Sequence, residues 1–157
     1  MDYIGITVAD KSKQFAVRII KFSRFLNEGK KEYIIAKQIF RSGTSIGANI
    51  RESKNAQSDV DFIHKLSIAL KEADETAYWL ELLFESDIID KIEYDSLNND
   101  LKEIIAMLTS TIKTMKNKII LVIMFAILLT GCSKKEKNEI NVLNWSSYIP
   151  DSIIRDF

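Results

Sequence analysis

The sequence predicts an all-α fold: an up-down-up-down antiparallel four-helix bundle, followed by a hydrophobic signal-like helix and an unstructured, truncated tail. Three observations predict it. Four stretches within residues 1–114 repeat apolar side chains at helical spacing. Those residues contain no proline, the chain's one Pro being Pro150, so nothing in them interrupts a long helix. The links between the stretches are short, which makes successive helices antiparallel neighbours.

In the first helix, about Lys11 to Asn27, Phe15, Ile19, Phe22 and Leu26 recur at spacings of four, three and four, and Gly29 marks the end. The second, about Lys31 to Lys54, carries Ile35, Ile39, Ile46 and Ile50 on one side. Its centre, Ser42 to Asn49, is poor in helix formers, and Gly43 and Gly47 each cost about 1 kcal/mol against Ala. One turn apart on one face, the two glycines let another backbone approach closely. In the third helix Ser58 and Asp61 resemble a capping box. Ile63, Leu66, Leu70, Ala73, Ala77, Leu80 and Phe84 then alternate at three and four, a heptad seam suited to a shallow crossing angle. The fourth helix starts near Asp90 and continues the alternation through Tyr94, Leu97, Leu101, Ile104, Leu108 and Met115.

Beyond Met115 the character changes. Met115, Lys116 and Lys118 precede an apolar run from Ile119 to Leu129, and Leu129-Thr130-Gly131-Cys132 closes it. A basic start, a short apolar stretch and a small-residue cleavage site make a secretory signal. Cys132, the only cysteine, stands where a lipoprotein signal places its lipid-bearing thiol. The run is short for a membrane span, which needs about 20 residues. After the lysine-rich linker Ser133 to Asn138, Ile140 to Trp145 alternates like a strand, and Pro150-Asp151 opens a helix at Ser152. These pieces are too few to build a core. The expected organisation is therefore a bundle over 1–114, a lipoprotein signal-like segment over 115–132 and a truncated N-terminus of another domain over 133–157.

Charge is balanced overall, with 22 Lys/Arg against 22 Asp/Glu, and uneven along the chain. Lys11 to Lys54 holds eleven Lys/Arg against three Glu, whereas Ala56 to Glu103 holds four Lys against thirteen Asp/Glu. Such blocks pair between neighbouring helices or subunits, or leave a basic face for nucleic acid. Lys21, Arg24, Lys37, Arg41, Arg51 and Lys54 are the candidate phosphate contacts. Two readings stand for the polar residues around the small-residue centre. Asn49 and Glu52, with Glu72 and Glu75 at the same level of the third helix, form a hydrogen-bonded network that fixes register. Alternatively Lys37, Arg41, Arg51 and Lys54 form a phosphate-binding patch. Catalytic and metal residues are not expected: His64 is the sole histidine, and the paired Glu-x-x-His motif of di-iron bundles is missing. No cofactor or small-molecule substrate is implied. The bundle reads as cytoplasmic, with membrane association through residues 119–129 as the rival expectation.

Two resemblances add to this reading. Lys37-Gln38 and the run from Arg41 to Glu52 resemble the signature of four-helix bundle proteins encoded by intervening sequences in bacterial 23S rRNA genes. Asp61 to Ala73, Glu75-Thr76 and Tyr78-Trp79-Leu80 continue the match. The resemblance implies a ring-like homo-oligomer, a pentamer. The same residues are similar to the accessory variability protein of diversity-generating retroelements, a bundle that binds nucleic acid and its reverse transcriptase. Residues 115–157 resemble the opening of spermidine/putrescine-binding lipoproteins of ABC transporters, through Cys132, Val142-Leu143-Asn144-Trp145, Tyr148-Ile149-Pro150-Asp151 and Ile154-Arg155-Asp156-Phe157. A polyamine site cannot form from that first strand and helix alone.

Overall fold

The computed structural model describes residues 7–130, and all its regular structure there is helical. Four helices follow in order: α1 (Val8–Glu28), α2 (Ile34–Ser53), α3 (Asp59–Glu85) and α4 (Lys91–Thr130). The expected strand at Ile140 to Trp145, the helix at Ser152 and the lipidation site Cys132 lie outside the described residues.

Each helix start is fixed by a side chain that satisfies otherwise unpaired backbone N–H groups. Thr7 and Asp10 form a reciprocal capping box on α1, each side chain accepting the other's backbone N–H at 3.2 Å. Tyr33 precedes α2 without capping it, and Glu32 accepts instead from the N–H groups of Ile34 and Ile35 at 2.9 and 2.8 Å. Ser58 accepts from Asp61 N–H at 3.1 Å as expected, while the Asp61 carboxylate accepts from Gln57 N–H rather than from Ser58. A full box stands at α4, where Asp90 accepts from Glu93 N–H at 2.8 Å and Glu93 accepts from Asp90 N–H at 3.0 Å. Lys31 and Asp87 take left-handed backbone, with φ of 58° and 56°, in two of the connections.

The register is antiparallel throughout. Between α1 and α2, Gly43 lies against Ile19, Gly47 against Ser12, and Ser23 Oγ donates to the Ala36 carbonyl at 3.1 Å. Between α2 and α3, Ser42 meets Thr76, and Glu52 meets Lys65 at 2.7 Å. The rings of Phe84 and Tyr94 stack 4.8 Å apart where α3 turns into α4, and Asp59 pairs with Lys118 at the far end. Lys11–Glu103 and Arg18–Asp100 ion pairs tie α1 to α4.

Phe15, Ile19, Leu26, Ile39, Ile46, Leu66, Leu80, Leu83, Leu101, Ile104 and Leu108 are the large side chains of one shared core. The α3 seam differs from the expected one. Leu66, Ala73 and Leu80 are buried as predicted, but Ala69, Thr76 and Leu83 complete the buried line, leaving Leu70, Ala77 and Phe84 half-buried at its margin. The apolar face of α3 is wider than one heptad stripe, and its centre includes a polar residue that hydrophobic spacing passes over.

The chain divides into two compact units, Met1–Met124 and Phe125–Phe157. The backbone shows no break at the boundary expected near Met115, because α4 runs on to Thr130. No proline, glycine or competing cap lies between Met115 and Thr130 to stop it. Burial does change there: Ile112 is the last residue of α4 described as buried, and Ile120 through Phe125 are exposed. Within the second unit, residues 125–128 of that helix are exposed. Among the described residues no helix is long and apolar enough to cross a membrane.

Candidate nucleic-acid interface

The small-residue centre of α2 brings α1 and α2 close together, and this spacing shapes the surface above them. A Cβ on Gly43 would stand 2.8 Å from Ile19 Cγ1, so only glycine permits this approach. Small residues continue outward. Ala9, Ala16, Gly47 and Ala48 floor a groove of about 540 Å³ between the start of α1 and the end of α2. Lys13, Arg51 and Lys54 stand on its walls, with Asp10 and Asn55 beside them. Hydrogen bonds from the Thr7 hydroxyl and backbone hold the Asp10 carboxyl below its ordinary range, and Lys54 and Lys13 add to the effect. Asp10 is thereby engaged in capping α1.

A second groove, of about 620 Å³, opens at the opposite end of the same helix pair. Arg24 and Lys37 line it with Tyr33 and Phe40. Lys37 and Arg51 are fourteen residues apart on α2, so the two cationic grooves lie about 21 Å apart along the helix axis.

The six predicted basic residues therefore do not form one patch. Arg51 and Lys54 share the first groove, Arg24 and Lys37 the second. Lys21 opens instead towards α4, beside Arg18, Phe22 and Glu93. Arg41 lies on the α2–α3 side, where its charge acts on Glu72. Lys13 belongs to the first groove and sequence reasoning missed it; its spacing of three residues from Asp10 and Ala16 was the available signal. Lys11, Arg18 and Lys65 are also basic, but their charges are matched inside the bundle. Arg18 pairs with Asp100 and donates to Ser96 Oγ at 2.7 Å, and Lys65 donates to Glu52 at 2.7 Å.

Three of the four residues expected to form a network have separate partners. Asn49 donates to the Ser45 carbonyl at 2.9 Å, one turn back on its own helix. Glu52 accepts from Lys65. Glu75 accepts from Trp79 Nε1 at 3.1 Å. Burial, reinforced by the nearby Glu75, pushes the Glu72 carboxyl above its ordinary range, and Arg41 partly offsets this. The buried polar link between α2 and α3 is a different pair. Thr76 Oγ1 lies 2.9 Å from Ser42 Oγ and 2.7 Å from the Glu72 carbonyl, while Ser42 donates to the Gln38 carbonyl at 3.1 Å. His64 is exposed on α3. Among the described residues no cluster of three or more His, Cys, Asp or Glu is placed to hold a metal ion.

Comparison with known proteins agrees with this architecture. The model of the 23S rRNA-intervening sequence protein family matches residues 5–110. A crystal structure of a protein of unknown function from the S23 ribosomal protein family of Bacteroides thetaiotaomicron VPI-5482 is 58% identical. The match covers 68% of this chain and 99% of that one, with a TM-score of 0.68. No curated protein matches the chain. The family model ends at residue 110, so the likeness of residues 115–157 to polyamine-binding lipoproteins gains no support from it. The bundle, with its glycine-spaced α1–α2 pair, belongs to the 23S rRNA-intervening sequence protein family.

Proposed function

We propose that this chain is a non-enzymatic, homo-oligomeric helical scaffold that binds RNA or DNA through cations of α1 and α2. One observation carries the reading. Lys11, Arg18 and Lys65 are neutralised within the bundle, whereas Lys13, Arg51 and Lys54, and again Arg24 and Lys37, line open grooves without an ion-pair partner among the described residues. Cations so placed release counterions when phosphates bind, which drives sequence-independent association. The family's name links it to 23S rRNA genes, which favours a nucleic-acid partner over a small molecule. The acidic outer face of α3, with exposed Tyr78, serves contact between subunits in a ring, a pentamer. No cofactor takes part, and the bundle works in the cytoplasm. Residues 115–157 are a passenger with the likeness of a polyamine-binding lipoprotein's opening, Cys132 carrying lipid only if that segment is processed. A gel shift with purified protein and ribosomal RNA fragments tests the central point: a shift is expected at low salt, and none would leave a purely structural oligomer.

A second reading has its own observation. Ile120, Leu121, Val122, Ile123, Met124 and Phe125 are all exposed, beyond Lys113, Lys116 and Lys118, so the end of α4 can tether the bundle to a membrane surface. Cell fractionation separates the two, since a cytosolic pool of full-length protein excludes the tether.

A further inference from the structure

The groove at the α1–α2 turn end carries aromatic rings that the core does not use. Tyr33 is 60% exposed and Phe40 is 44% exposed. Tyr33, Lys37 and Phe40 follow at spacings of four and three at the start of α2, so a ring, a cation and a ring stand on one helix face. The two ring-bearing positions are about 10 Å apart along the axis. Arg24 faces them across the groove from α1. At the tip, Lys30 Nζ lies 5.6 Å above the ring of Phe25, itself partly exposed. Arg24, Lys30 and Lys37 have no ion-pair partner among the described residues.

Phosphate binding alone needs only the cations. Flat rings interleaved with them add something a duplex cannot use, because paired bases keep their faces stacked inside the helix. Unpaired bases offer those faces, and base–aromatic stacking beside a cationic track is how single strands are held without sequence preference. We propose that this groove is a single-strand site, in which Tyr33 and Phe40 stack on unpaired bases while Arg24 and Lys37 hold the flanking phosphates. The proposal rests on the nucleic-acid reading above and narrows it to one form of the ligand. Ile20 also lines the groove and Ile34 stands exposed beside Tyr33, but the charges of Arg24 and Lys37 among the rings favour this occupant over a second copy of the chain.

The test is fluorescence anisotropy of the full-length protein with labelled oligoadenylate, and with the duplex it forms with oligouridylate. Wild type is expected to bind the single strand more tightly. Tyr33→Leu and Phe40→Leu should each weaken single-strand binding about tenfold. Duplex affinity and the salt dependence should stay unchanged. Wild-type binding of both forms with no loss in the Tyr33→Leu/Phe40→Leu double variant overturns the stacking site and leaves the nucleic-acid reading standing. No binding of either form by wild type removes both. A fall in assembly mass by light scattering in either variant assigns the rings to contact between copies and overturns the proposal.

Discussion

Replacing Gly43 with Ala separates close helix packing from simple helix propensity. The added Cβ would lie 2.8 and 2.9 Å from Ile19 Cγ1 and Cγ2, roughly 0.6–0.7 Å inside the ordinary ~3.5 Å carbon contact. Ile19 is fully buried and β-branched, so it has no free rotamer into which it can swing. The helices must part instead, and overpacking of this kind costs about 1–3 kcal/mol. Against that, Ala gains about 1 kcal/mol over Gly in a helix interior. The net expectation is a loss of about 1 kcal/mol, seen as a melting temperature about 3–5 °C lower by circular dichroism. Gly47→Ala is the internal control. Its Cβ would meet the Ser12 carbonyl oxygen at 3.4 Å, an ordinary contact, so propensity dominates and stability rises by about 0.5–1 kcal/mol. The two substitutions should therefore move stability in opposite directions. A Gly43→Ala protein as stable as wild type, or more so, would refute the close α1–α2 approach.

Thr76→Val should cost about 1 kcal/mol by urea melt, since the buried hydroxyl gives up its partners on Glu72 and Ser42. Adding Ser42→Ala should cost much less than the single changes predict, because both ends of the link are then gone; strict additivity would contradict the pairing. The raised Glu72 carboxyl binds its proton more tightly in the folded state than in the unfolded chain, so its contribution is present at low pH and is lost as pH rises through and above the ordinary value of 4.5. Glu72→Gln should therefore melt higher than wild type at about pH 7 and close to it at about pH 4; an equal difference at both would exclude this cause. A chain ending at Thr114 should still melt cooperatively, because Ile112 is the last residue of α4 described as buried. Its precipitation or loss of helix would make residues 115–157 part of the folded unit.

Helix count, order and antiparallel topology were legible because apolar spacing within each helix is a local property. The limits were local too. The Thr7–Asp10 cap of α1 lies ahead of the first apolar repeat, so spacing alone did not point to it. Thr76 interrupts the α3 seam chemically but not geometrically: its hydroxyl is satisfied by a carbonyl of its own helix and by Ser42 across the interface. Gly43 and Gly47 announced close packing correctly, though only the three-dimensional register could name Ile19 as the neighbour. The basic surface was legible as residue types and not as sites. Whether a lysine or arginine is free depends on partners such as Asp100 for Arg18, 82 positions away, and no sequence spacing reports that. Near Met115 the sequence marks a change of environment, which the structure expresses as loss of burial along an unbroken helix.

If cations of α1 and α2 that lack ion-pair partners among the described residues hold phosphates, affinity for labelled RNA must depend on salt. Between about 50 and 200 mM salt, log affinity should fall linearly, with a slope near −0.9 for each phosphate engaged on a duplex and near −0.7 on a single strand. Charge-removing changes at Arg51 and Lys54 should each reduce that slope by about one unit or less. An affinity indifferent to salt, or a slope unaltered when both cations are removed, would contradict the account.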